Sequence, residues 1–241
     1  VRDATAAGRP AQAGTLIYVG APEQHPAVRS YKTRKGRMAP AQHEALTRLR
    51  PAFGVDVDGR PLDLPALFGR TAPVVLEIGS GTGEVTAALA AADPDRDVLA
   101  VEVHTPGVAN LLRLAESEQL TNVRVAEGDA FVVLRDMLAP ASLDEVRVLF
   151  PDPWPKSRHH KRRLVQPAFV ELVASRLRPG GRLHVATDWP HYAEQVLDAV
   201  SASTLEGGPV ARPDRPVTRF EQRALVEGRP VVDVVAVRRV G

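Results

Sequence analysis

A chain of 241 residues with 44% hydrophobic and 25% charged side chains has the balance of a soluble globular domain, with room for one core and a short extension. The absence of cysteine excludes disulfides, thiolate metal sites and a cysteine nucleophile, and fits a cytoplasmic protein. No apolar run approaches the roughly 18 residues that span a bilayer, no signal-peptide pattern is visible, and a net charge of +2 is too small to imply a nucleic-acid partner by itself.

Residues 1–27 are rich in Ala, Gly and Pro and read as a loosely attached arm, leaving 28–241 as a single domain. A basic stretch, Arg29 to Arg37, holds Tyr31 and precedes a helix expected from Pro40 to about Phe53, with the proline at its first turn. From Val74 the chain alternates. Strands are expected at Val74–Ile78, Val98–Val103, Val123–Ala126, Val146–Phe150 and Leu183–Ala186. Helices are expected between them at Val85–Ala92, Pro106–Glu118, Phe131–Leu138 and Leu164–Leu177, the last stopped by Pro179-Gly180-Gly181. Near-continuous apolar strands alternating with helices predict an α/β fold with a parallel sheet covered on both faces. Gly207 to Pro216 reads as a loop, and Val217–Phe220 with Val231–Val237 as a terminal antiparallel pair.

The chemistry concentrates in two places. Glu77-Ile78-Gly79-Ser80-Gly81-Thr82-Gly83 follows the first apolar strand and opens a helix, so its glycines let backbone turn tightly beside a ligand. The spacing is Gly-x-Gly-x-Gly rather than the Gly-x-Gly-x-x-Gly of dinucleotide sites, and Glu77 would repel a pyrophosphate. Such an acid suits S-adenosylmethionine, which carries an amino group and a sulfonium but no phosphate. Glu77, Glu102, Asp129, Asp152 and Asp188 each fall at or just past a strand's C-terminal end, the edge where open parallel sheets bind ligands.

The second place is Phe150-Pro151-Asp152-Pro153-Trp154-Pro155-Lys156, continued by the basic run to Arg163. Alternate prolines forbid helix and interior strand, so this is a rigid loop presenting an acid and a tryptophan ahead of phosphate-binding cations. Trp154 is read either as a base-stacking ring or as the loop's anchor. The chain's four lysines, Lys32, Lys35, Lys156 and Lys161, fall within this run and the Arg29–Arg37 cluster. His104, His159 and His160 lack the companions of a metal site, and none is expected.

These segments, with Thr187-Asp188-Trp189 and Thr218-Arg219-Phe220-Glu221, resemble the bacterial tRNA (guanine-N7)-methyltransferases, class I enzymes that use S-adenosylmethionine. The Pro-Asp-Pro-Trp-Pro-Lys and Thr-x-Phe-Glu strings carry the specificity of the match. The resemblance implies a Rossmann-like, mostly parallel seven-stranded sheet with a C-terminal antiparallel pair. It implies cofactor contacts at Glu77, Gly79, Gly81, Glu102, Asp129 and Asp152, with Asp152 the catalytic position. It assigns the substrate guanosine to Lys156, Asp188, Thr218, Arg219, Phe220 and Glu221, and RNA to Arg158, His159, His160, Lys161, Arg162 and Arg163. The implied target is a guanosine in the tRNA variable loop, position 46, with no metal, membrane or obligate protein partner. Asp188 and Glu221 both stand as candidate readers of the guanine edge. A methyltransferase of another substrate, an NAD-dependent oxidoreductase and a noncatalytic RNA binder are the alternatives.

Overall fold

Five apolar runs become the parallel strands of one sheet: β2 (Val74–Ile78), β3 (Asp97–Glu102), β4 (Val123–Glu127), β5 (Leu143–Leu149) and β6 (Leu177–Thr187). The computed structural model describes residues 38–240. The expected arm at 1–27 and the Arg29–Arg37 cluster lie outside the described residues. Successive strand side chains point to opposite faces, so β2, β3 and β4 each feed two cores. Leu76, Leu99, Val146 and Leu183 belong to one, closed by α5 (Ala130–Val132, prolonged as a π turn to Met137), α6 (Pro167–Arg176) and α7 (Pro190–Ser201). Val75, Val98 and Ala100 belong to the other, closed by α1 (Pro40–Phe53), α3 (Glu84–Ala92) and α4 (Thr105–Ser117). Helices α1, α4, α6 and α7 each open with proline at N1 or N2, where a missing N–H costs nothing.

The sheet has eight strands rather than seven, because Gly54–Val55 (β1) adds a short parallel edge against β4. Between β1 and β2 lies the short helix α2 (Leu64–Phe68). The order is β1-β4-β3-β2-β5-β6-β8-β7, and the last two strands run antiparallel as expected. Their identity is a correction. The pair is β7 (Leu205–Val210) with β8 (Val232–Arg238), and Val217–Phe220 is not a strand. Thr218 instead caps α8 (Arg219–Val226), its hydroxyl oxygen accepting from Glu221 N at 2.9 Å. Gly207, expected in a loop, lies in β7 opposite Ala236, where a Cβ would stand 2.0 Å from the Val235 carbonyl oxygen, so the strand needs glycine at that position. Pro179-Gly180-Gly181 does not itself end α6, which stops at Arg176. It forms an irregular start to β6, where the register jumps from Leu143↔Leu177 to Glu145↔Arg182. Among the described residues no helix is long and apolar enough to cross a membrane.

Candidate active site

Because β2 to β6 are parallel, their C-terminal ends meet at one edge of the sheet, and a cavity of about 220 Å³ opens there. The glycine loop supplies Gly79 and Gly81, β3 supplies Glu102, the turn after β4 supplies Asp129, and the turn after β5 supplies Phe150, Pro151 and Asp152. Phe220 of α8 and Leu164 complete the far wall. The lining includes three carboxylates and no lysine or arginine.

The glycine loop is held from β3. Gly79 N donates to Val101 O at 2.8 Å, and Gly81 N to Glu102 Oε2 at 2.7 Å. Glu102 Oε1 accepts from Val103 N and His104 N at 2.7 and 2.8 Å. A carboxylate has about four acceptor sites, so Glu102 keeps one for a ligand. Gly79 and Gly81 have φ of +80° and +59°, and no atom stands within 4 Å of where a Cβ would be. Asp129 Oδ1 caps α5 by accepting from Phe131 N at 2.9 Å.

Glu77 does not line the cavity. It is buried on β2 beneath the loop, with Oε2 unpartnered, beside its register neighbour Arg147. Burial pushes its carboxyl up, against the pull of Arg147.

The Pro-Asp-Pro loop is strained where it serves the site. Phe150 and Trp154, at φ of +55° and +43°, sit in the left-handed region, which costs on the order of 1–3 kcal/mol for a non-glycine residue. Phe150 N donates to Ala186 O at 2.8 Å, and Arg163 Nε donates to Pro153 O at 2.7 Å, so both ends of the loop are pinned. Asp152 between them is exposed at the mouth.

The basic run divides. Lys156, Arg158 and Lys161 are exposed on or beside a short 3-10 helix, Ser157–Arg162. Arg163 corrects the expectation of RNA contact: it is buried, and it also donates to Gln195 Oε1 at 2.9 Å and lies 4.8 Å from the Tyr192 ring centroid. His159 packs edge-on to Trp154, and the Arg162 guanidinium lies 5.2 Å from the Trp154 ring. Trp154 is therefore the anchor of the loop, 8% exposed, rather than an open stacking surface. His160 is half-buried with Nε2 unpartnered.

Of the residues matched to guanosine, Phe220 alone lines the cavity. Its ring stacks on Phe150 with centroids 6.4 Å apart and planes at 17°. Arg219 Nη2 reaches across to Glu84 Oε1 on α3 at 2.5 Å. Asp188 Oδ2 accepts from Arg229 at 2.7 Å, while Oδ1 has no hydrogen bond among the described residues. Glu221 is corrected as a guanine reader: it is 2% exposed, with its two oxygens taken by Arg212 at 2.6 Å and Arg215 at 2.5 Å. Burial would raise its carboxyl, but those guanidinium groups hold it below the usual range.

A family model described as "Putative methyltransferase" matches residues 71–234. A tRNA (guanine-N(7)-)-methyltransferase of Streptomyces avermitilis is 56% identical over 86% of this chain and 74% of its own length. One from Nitrosospira multiformis is 50% identical over 90% of this chain and 97% of its own. The chain belongs to the tRNA (guanine-N(7)-)-methyltransferase family. Among solved structures, an antibiotic-related methyltransferase matches this family member's fold with a TM-score of 0.53 at 16% identity, covering 76% of this chain and 98% of its own. An rRNA methylase from Streptococcus thermophilus matches at 0.50 and 15%, covering 70% and 87%.

Sequence reasoning gave no role to Phe150, Arg215 or Arg229, each of which touches a site residue in this family member. Phe150 carried a signal, since it ends a strand ahead of the proline string. The two arginines carried none, because nothing in a lone sequence tells a buried guanidinium from an exposed one.

Proposed function

We propose that this protein transfers a methyl group from S-adenosylmethionine to N7 of a guanosine in the variable loop of tRNA, position 46, in the cytoplasm. The observation that carries this is the cavity itself: three carboxylates, no cation, and exposed Lys156, Arg158 and Lys161 just outside. A phosphate-bearing dinucleotide would find no counter-charge in that lining. S-adenosylmethionine fits it, with open space above Gly79 and Gly81, a spare acceptor on Glu102 and on Asp129, and apolar walls from Ile78, Val101 and Leu149.

When bound, the cofactor supplies an electrophilic methyl group on a sulfonium. Glu102 would hold ribose hydroxyls and Asp129 would face the adenine end. Guanine N7 already carries a lone pair, so the protein supplies no base at that atom. Asp152 orients the guanine and stabilises the positive charge that grows on the purine as N7 is alkylated. The base leaves its tertiary pairing to enter the site and stacks on Phe220. Asp188 reads the N1–H and N2–H₂ edge through its remaining acceptor. Lys156, Arg158 and Lys161 hold phosphates outside.

Incubation with unmodified bulk tRNA and methyl-labelled S-adenosylmethionine, followed by digestion to nucleosides, tests the reading. Label in 7-methylguanosine is expected, and loss of label from a transcript with adenosine at position 46 is expected to fix the site. Label in another nucleoside refutes the N7 assignment. No label beside an active control enzyme refutes tRNA as the substrate.

A further inference from the structure

We infer that Arg215 is a positioning residue for the transfer, holding the two lips of the cavity in register. It lies in the loop between β7 and α8, and its side chain is 3% exposed. The guanidinium forks. Nη1 donates to Glu221 Oε2 at 2.5 Å, and Nε and Nη2 donate to Asp233 at 3.2 Å. Its carbon stands 5.6 Å from the Phe150 ring centroid.

These partners belong to different parts of the molecule. Asp233 is on β8, inside the sheet, and is steadied by His184 Nε2 of β6 at 2.7 Å. Glu221 is on the first turn of α8, directly after Phe220. Phe150 begins the loop whose next residues but one is Asp152. Arg215 thus connects Asp233, inside the sheet, to both sides of the mouth. Phe150 and Phe220, which stack on each other, line the cavity from those two sides.

Lysine can substitute for only part of this contact. It offers a point charge on a flexible stem, whereas the planar fork addresses two carboxylates and an aromatic face together. Arg212 also reaches Glu221, and its Nη2 donates to Arg215 O at 2.7 Å, but its side chain is 39% exposed and makes no hydrogen bond to Asp233. The inference rests on the reading that methyl transfer occurs between Asp152 and Phe220, so its test needs one arm that does not depend on activity.

The kinetic arm compares wild type, Arg215→Met, Arg215→Lys and Arg212→Met in methyl transfer to tRNA, with S-adenosylhomocysteine affinity measured separately. Arg215→Met is expected to lower kcat about 30-fold or more, while tRNA KM and S-adenosylhomocysteine affinity change less than about 3-fold. Arg215→Lys is expected to recover part of the loss, to about 10-fold below wild type, and Arg212→Met to stay within about 3-fold. Equal losses in kcat and cofactor affinity, or a lowered melting temperature with unchanged kcat, would overturn the inference.

The second arm places 4-fluorophenylalanine at position 220 of the full chain. One narrow fluorine resonance is expected in wild type, and a broadened or split one in Arg215→Met. If wild type makes no 7-methylguanosine, the functional reading falls and the spectrum still decides, because an unchanged resonance in the variant refutes positioning. If Arg215→Met does not fold, Asp233→Asn takes its place. It weakens the anchor alone and is expected to broaden the same resonance and lower kcat by about 3- to 10-fold. No change in either would refute the inference.

Discussion

The acids at the N-terminal ends of the parallel strands and the acids that line the cavity keep opposite company. At the N-terminal ends each has an arginine. Asp97 takes Arg70 at 2.7 Å, Asp144 pairs with Arg178, and Glu145 takes Arg147 at 2.8 Å, Arg182 at 2.9 Å and Arg96 at 3.0 Å. At the C-terminal ends Glu102, Asp129 and Asp152 line the cavity without an ion pair among the described residues. The residue type is the same, and the difference is the partner. Where the protein supplies the cation, the acid is scaffold. Where it supplies none, the acid is left for a ligand. Asp188 and Glu221 show the graded case at the ligand end, one retaining a free oxygen and the other fully engaged.

The contrast breaks most visibly at Asp152. Asp152→Asn is expected to lower kcat about 10³-fold, the scale of a lost preorganised charge, while tRNA affinity measured by filter binding stays within about 3-fold. Equal losses would reduce Asp152 to a binding or folding residue. At the other end, Glu145→Gln leaves three guanidinium groups facing one another and is expected to cost about 3 kcal/mol in urea unfolding, with kcat unchanged where the protein is folded.

Acid titration sharpens the same point. Burial would raise the Glu145 carboxyl, but the charges and hydrogen bonds of Arg147 and Arg182 outweigh it and hold it at about 2, against an ordinary 4.5. A depressed folded value means the stabilisation is complete above the ordinary value and is lost as pH falls through the folded one. Urea midpoints are therefore expected to fall between about pH 4.5 and 2, and less so in Glu145→Gln. Smaller still is the response of the outer cations. Replacing Lys156, Arg158 and Lys161 with alanine is expected to flatten the slope of log affinity for tRNA against log salt by roughly 0.7–0.9 per residue. Arg163→Ala is expected to leave that slope unchanged and lower the melting temperature instead.

Much of this was legible because strands β2 to β6 are buried on both faces and so read as apolar runs, and because an acid at each strand's end has a fixed place in a parallel sheet. β7 was not legible. Leu205-Glu206-Gly207-Gly208-Pro209-Val210 has loop composition, and an edge strand tolerates it because one side of its ladder has no partner to satisfy. α8 was misread although its signal was present: Thr218 followed three residues later by Glu221 is a helix-start pattern, and Val217 and Phe220 beside it gave the stretch a strand-like look. Arg162 and Arg163 are adjacent and chemically identical, yet one lies over Trp154 and the other is buried against Tyr192. Only packing separates them.

The preference for arginine in every buried ion cluster has a chemical consequence. Amine-acylating reagents attack lysine and leave guanidinium groups alone, and the chain has no cysteine to compete. The described lysines, Lys156 and Lys161, both lie exposed beside the cavity mouth. Acylation can therefore strip charge from the outer surface while every arginine pair inside stays intact, which makes protection of these two amines by bound tRNA a direct footprint of the docked state.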